Sequence, residues 1–295
     1  MRLAIIGNCQ SSVLKSYINA NIDYVEFIDI PAIHTIQQDS NKIKLIFREL
    51  ETVDYVISQP LSKNFNELSI DSLRKHFSEK LIIIPGIYFL GYHPDLVYLK
   101  SKDAKTYKTK NFDYHELSIV YSYLKGYNIE QAIALPQIAN LSSIDIKEIW
   151  DITLNNLIDK EQECDIAISD YILQNEKKIL FFSFNHPSNL VMNAMSERII
   201  KYIKPTHFYS FIHNDLFSNT IYPINESVQL HKNISSSSLY KKQNKILLKK
   251  DIIELYFKEY EMLDISILEE TIEFYKKKEI TNVIIAKYED YHNEI

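Results

Sequence analysis

Apolar residues open the chain as a short run, Arg2 to Gly7, that breaks at Gly7-Asn8. Beyond the break, Val13, Leu14, Tyr17 and Ile18 recur at helical spacing, which predicts a strand followed by a helix entered near Cys9 or Gln10. The alternation continues. Val25 to Ile33 reads as a second strand and Ile43 to Leu50 as an amphipathic helix. Asp54 to Ser58 reads as a third strand ending in Gln59-Pro60, and Leu81 to Ile84 as a fourth ending at Pro85-Gly86. Strands alternating with helical segments predict a parallel, doubly wound sheet, of Rossmann-like or SGNH-like α/β class, flanked by helices.

Past residue 95 the pattern turns helical. A helix from Tyr114 to Lys125 is stopped by Gly126, and helical stretches follow over Ile144 to Ile158 and Glu161 to Leu173. Lys178 to Phe184 is then a strongly apolar strand. It runs through Asn185-His186-Pro187 into a helix over Leu190 to Ile203, with Ser188 as the expected N-cap. Ser235 to Ser238 reads as a loop. Ile252, Ile253, Tyr256 and Tyr260, then Ile267, Leu268, Ile272 and Tyr275, predict two more helices. The organisation expected is an α/β catalytic domain over 1–230, carrying a helical insertion, and a helical C-terminal extension over 231–295.

Composition narrows the chemistry. A net charge of -6 argues against nucleic acid as a partner, because that needs a basic footprint to displace counterions. Two cysteines, Cys9 and Cys164, make neither a disulfide framework nor a zinc motif, and Cys164 reads as helix core. The nine histidines show no metal-ligand spacing, so no metal is expected. The opening apolar run is too short for a signal-peptide core and no stretch reaches the length of a membrane span, so the expected location is the cytoplasm. With only four glycines there is no P-loop and no dinucleotide fingerprint, both of which need clustered glycines around phosphate.

Chemistry-bearing residues gather at predicted strand ends, where open α/β sheets bind ligands. Gly7-Asn8-Cys9-Gln10 lies at the end of the first strand and the start of a helix. A cysteine there would have its thiolate stabilised by the helix N-terminus, and the amides of Asn8 and Gln10 could stabilise an oxyanion. Most free cysteines are simply small buried residues, so spacing leaves both readings open. His93 and His186 each precede a proline, which holds the histidine in extended backbone and makes each a candidate general base. Ser58 and Gln59 could line the same cleft, with Asn185 beside His186. Among the lysines of the Lys100 to Lys110 loop, Lys105 and Lys108 could meet phosphates, although such a run is more often a solvated loop.

Together, Ile5-Ile6-Gly7-Asn8-Cys9-Gln10, Ser58-Gln59-Pro60, the Pro85 to Pro94 segment closing on His93, and Phe184-Asn185-His186-Pro187 resemble the WcbI-type polysaccharide biosynthesis proteins. The resemblance covers roughly residues 1 to 210. It implies a bacterial acetyltransferase of capsule assembly, with coenzyme A or acetyl-coenzyme A as acyl donor and a sugar or polysaccharide precursor as acceptor. In a direct route His93 or His186 deprotonates the sugar hydroxyl, while Gly7, Asn8, Gln10 and amides near Cys9 hold the oxyanion. In a covalent route Cys9 takes the acyl group first. The direct route is expected, since no sequence feature demands an acyl-enzyme.

Two other classes fit part of the pattern. A nucleophile after the first strand with a late histidine also resembles SGNH esterases, but cysteine stands in place of serine and the acidic-residue spacing is missing. A non-catalytic scaffold would use the helical tail to join a glycan-assembly complex or a second copy of the chain. A glycosyltransferase would need a paired-carboxylate metal motif, which the sequence lacks.

Overall fold

Four parallel strands form the sheet in the computed structural model, which describes every residue except Gln38, Ala139 and Ile295. They are β1 (Arg2–Ile6), β2 (Glu26–Phe27), β3 (Tyr55–Ser58) and β4 (Leu81–Ile83), in the order β2-β1-β3-β4. Leu3 pairs with Tyr55 and Ile6 with Ser58, while Val56 pairs with Leu81. The strands are almost continuously apolar because both faces of a parallel sheet are covered. Side chains alternate across it. Ala4, Ile6 and Val56 enter a core with Ile43 and Ile46 of α2 (Ser40–Glu49) and Leu73 and Phe77 of α3 (Ile70–Phe77). Helix α1 (Gln10–Asn19) packs against β1 and against the later helix Asn189–Ile203, burying Val13, Leu14, Tyr17 and Ile18.

Two compact units share the chain. The first comprises Met1–Tyr88, Asn155–Glu176 and His186–Phe217, and holds the parallel sheet. The second comprises Phe89–Leu154, Lys177–Asn185 and Ser218–Ile295. Residues 231–295, expected as a separate extension, cluster with Phe89–Leu154, and Ile295 lies outside the described residues. Among the described residues no helix is long and apolar enough to cross a membrane.

Several elements differ from expectation for local reasons. The second strand shrinks to Glu26–Phe27 and gives way to a tight helical turn at Ile33–Thr35, since Pro31 has no N–H for a ladder. The helix expected over Glu161 to Leu173 splits. Ser143–Glu161 ends at Glu161, whose carboxylate turns back to accept the N–H groups of Ile168 (2.7 Å) and Ser169 (2.9 Å), starting the short helix Ser169–Gln174. Cys164 therefore sits in a turn, half-buried, and not in a helix core.

Ser188 occupies the N-cap position of Asn189–Ile203, but its hydroxyl makes no cap bond; Asp215 accepts the Asn189 N–H at 2.9 Å. The tail is not wholly helical either. Tyr240–Lys242 and Lys245–Leu247 form a hairpin that adds Thr220–Ile221 as a third strand. Its two central residues, Gln243 and Asn244, take φ of 47° and 65°, the backbone of a tight hairpin turn made without glycine.

Candidate functional site

In the order β2-β1-β3-β4 the chain leaves β1 toward β2 and leaves β3 in the opposite direction toward β4, which opens a crevice between the carboxyl ends of β1 and β3. That switch point is where open α/β sheets hold ligands. Gly7, Asn8, Cys9 and Gln10 occupy it, with Gln59 at the end of the neighbouring β3. Three side-chain amides interlock there. Gln59 Oε1 accepts the Asn8 backbone N–H at 3.0 Å, while Gln59 Nε2 donates to Gln10 Oε1 at 3.2 Å. Asn8 Oδ1 accepts the Gln10 backbone N–H at 2.9 Å, capping the first turn of α1.

Gln10 is buried and engaged through both amide atoms. Its Nε2 donates to the Ile87 carbonyl at 2.7 Å and its Oε1 accepts the Ile87 N–H at 3.0 Å. It thus ties the α1 turn to the segment beyond β4. Gly7 is required by close approach: a Cβ there would lie 2.9 Å from Gln59 Cδ and Oε1. Ser58 is fully buried and its hydroxyl donates to the Gln59 carbonyl at 2.8 Å, so it supports the turn from below.

Cys9 is the N-cap residue of α1 and half-buried. No acidic residue stands in the first turn, so the partial positive charge of the helix N-terminus is uncompensated by a carboxylate there. Tyr88 completes the arrangement. Its hydroxyl accepts from Asn8 Nδ2 at 3.1 Å, and its ring carries Lys160 5.7 Å from the centroid. Burial raises the phenol above its ordinary value; the Asn8 hydrogen bond opposes this and the Cys9 thiol adds to it, so it remains a protonated donor at neutral pH. Sequence reasoning passed over Tyr88 inside an apolar run. The usable signal was its place two residues beyond Gly86, at the same sheet edge as Gln59.

The histidines fall in different units. His186 belongs to the first, is half-buried, and stacks face to face on Phe217 with centroids 4.7 Å apart. His93 belongs to the second and is 2 % exposed, with Nε2 3.3 Å from the Phe181 carbonyl. Burial pushes it down to about 4, against hydrogen bonds to the Phe181 and Pro223 carbonyls, so it is neutral at pH 7. Asn185, in the same unit as His93, is buried, donates to Tyr98 Oη at 3.1 Å and accepts from Ser183 Oγ at 3.1 Å. Lys105 is exposed, and Lys108 pairs with Asp113 at 2.9 Å. Cys164 is a poor thiolate: burial, then Glu161, Asp165 and Glu163, raise it to about 12.

A family model described as "Polysaccharide biosynthesis enzyme WcbI" matches residues 2–206. Among solved structures, one described as WcbI, a novel polysaccharide biosynthesis enzyme, superposes with a TM-score of 0.80. It shares 18 % identity over 97 % of this chain and 98 % of its own, a likeness of fold. That structure is further described as native protein without a disulfide bond between CoA and one of its cysteines. No curated protein matches significantly.

Proposed function

The chain belongs to the family of the polysaccharide biosynthesis enzyme WcbI, and from that premise we propose that it transfers an acyl group, acetyl in the simplest case, from coenzyme A to a sugar hydroxyl of a capsular or surface polysaccharide. The observation that carries the reading is Cys9 at the N-terminus of α1, held at the switch point by the Asn8, Gln10 and Gln59 amides. The description of the structural neighbour supports it by naming CoA together with a cysteine. Of the two cysteines here, Cys164 is disfavoured as a partner for a thiol-bearing ligand by its raised thiol.

Coenzyme A would supply the acyl group as a thioester, whose carbonyl gains negative charge on attack. The surroundings of Cys9 suit that charge: a helix N-terminus with no acidic residue in its first turn, and the protonated phenol of Tyr88. Gln10 and Gln59 act as positioning residues, since their amides hold the turn. His186, half-buried against Phe217, is the base for the acceptor hydroxyl. His93, sealed among backbone carbonyls, positions the segment around it. Lys105 and Lys108 are the proposed phosphate contacts. Cys9 orients the thioester end, and transfer is direct.

Calorimetric titration of coenzyme A into the wild-type protein and the Cys9→Ser and His186→Ala variants tests this. Micromolar binding by wild type is expected, with His186→Ala keeping binding and losing acetyl transfer to a monosaccharide panel. Absence of binding at millimolar coenzyme A overturns the proposal.

A further inference from the structure

The second unit contains a cavity of about 230 Å³ that sequence reasoning did not find. Two short strands build its polar end. Leu96–Val97 and His115–Glu116 pair antiparallel with Leu96 opposite Glu116, which brings Asp95 and Glu116 to one place although 20 positions separate them. Both carboxylates are almost wholly buried, at 8 % and 7 % exposure, and both line the cavity. Tyr240 donates to Glu116 Oε1 at 2.6 Å, and the Asn225 side chain hydrogen-bonds Asp95. The Lys249 ammonium is 4.0 Å from Glu116 Oε2. That is well beyond the ~2.7–2.9 Å of a charge-assisted hydrogen bond, so the lysine does not saturate the pair.

Burying two carboxylates side by side is costly unless hydrogen bonds satisfy them. The protein meets only part of that demand and leaves the pair facing a hollow. Leu96, Ile133, Ile224 and Leu248 give it an apolar wall, with the rings of Tyr222 and Tyr240 beside it, while Gln137, Glu226, Gln229 and Ser238 add polar edges. The volume lies below the ~300–1,000 Å³ of sites for drug-sized ligands, too small for coenzyme A. A ligand that suits this lining is small, offers several O–H donors along one edge and presents C–H groups on a face.

We propose that this cavity is a monosaccharide-binding subsite, in which Asp95 and Glu116 accept hydrogen bonds from neighbouring hydroxyls while the aliphatic wall covers a carbon face of the ring. It rests on the acyl-transfer reading only for the class of ligand, since the substrate in that reading is a sugar. The carboxyls support it: burial raises both, Glu116 to about 7, with Lys249 opposing and Asp95 adding to the rise, so the Glu116 carboxyl can offer a donor as well as an acceptor.

The test is ligand-observed NMR titration of glucose, mannose and N-acetylglucosamine against the full chain and three variants, with coenzyme A binding measured on the same samples. Glu116→Gln and Asp95→Asn keep the size of the side chains and remove the charge. Leu239→Trp fills the cavity from a position that is 39 % exposed, where bulk is tolerated by the fold. Millimolar binding of at least one sugar to wild type, weakened about tenfold by every variant while coenzyme A binding is kept, is the expected result. Sugar binding without coenzyme A binding leaves this subsite standing and sinks the acyl-transfer reading. No sugar binding, equal binding by folded variants, or n-butylammonium displacing the sugars as the preferred ligand overturns the subsite.

Discussion

At the Gly7–Gln10 turn the buried polar groups are neutral amides that satisfy one another, whereas the cavity of the second unit buries carboxylates that its own residues satisfy only in part. The first arrangement comes from four contiguous residues and Gln59, and needs no particular pH to hold its geometry. The second draws on Asp95, Glu116, Tyr240 and Lys249, spread over more than half of the chain, and its charge state changes near neutrality. A neutral, saturated network suits a site that must hold a reacting group in one place. A charged, unsaturated one suits a site that must complete its hydrogen bonds with a ligand.

The comparison breaks first at Gly7. A methyl group there meets the Gln59 side chain, which must shift, so Gly7→Ala should keep the fold but melt lower than wild type as buried amides lose their partners. Acetyl transfer should fall about 10²–10³-fold, the scale of a lost oxyanion contact, with sugar binding in the second unit unchanged. Steady-state kinetics and thermal melting check both halves.

Next in size is the pH response of the charged site. The folded Glu116 carboxyl titrates near 7, above its ordinary value of 4.5, so its contribution to stability is present below 4.5 and lost as pH rises through 7. Glu116→Gln should therefore gain on the order of 1–3 kcal/mol over wild type between pH 5 and pH 8, read from urea midpoints. The buried histidines act oppositely. His93, lowered to about 4, and His115, lowered to about 3, contribute stability at pH 7 that is lost as pH falls from 6.5 toward 4. Replacing His115 by Gln should flatten that acid limb, and an unchanged limb would contradict its burial as a neutral ring.

Smaller effects sharpen the contrast. Tyr88→Phe removes one donor beside Cys9 and should lower kcat about tenfold with little change in coenzyme A affinity. The smallest effect belongs to the Lys105→Ala, Lys108→Ala double variant. Both side chains are exposed and one is paired with Asp113, so coenzyme A binding should weaken about threefold at low salt and hardly at all in high salt.

Legibility followed the range of the interactions. β1, β3, β4 and the turn into α1 were readable because apolar runs and a Gly-Asn-Cys-Gln stretch carry their own periodicity and breaker. Gln59 was readable as a strand end. Asp215 as the cap of Asn189–Ile203 was not, because a cap supplied from 26 residues away leaves no local mark. The hairpin at Gln243-Asn244 lacked the usual glycine signal, and the helix Ile129–Ile138 contains Pro136, which reads as a breaker. Asp95 and Glu116 look like ordinary surface acids until a two-residue strand pair sets them together.

By itself, then, the sequence determined the α/β class, the ends of β1, β3 and β4 and the residues of the first turn, because periodicity and chain breaks act over a few residues. Tertiary structure alone decided which polar groups are saturated and which are left facing a cavity. Saturation depends on partners brought from distant positions, and burial sets the energetic weight of each missing bond.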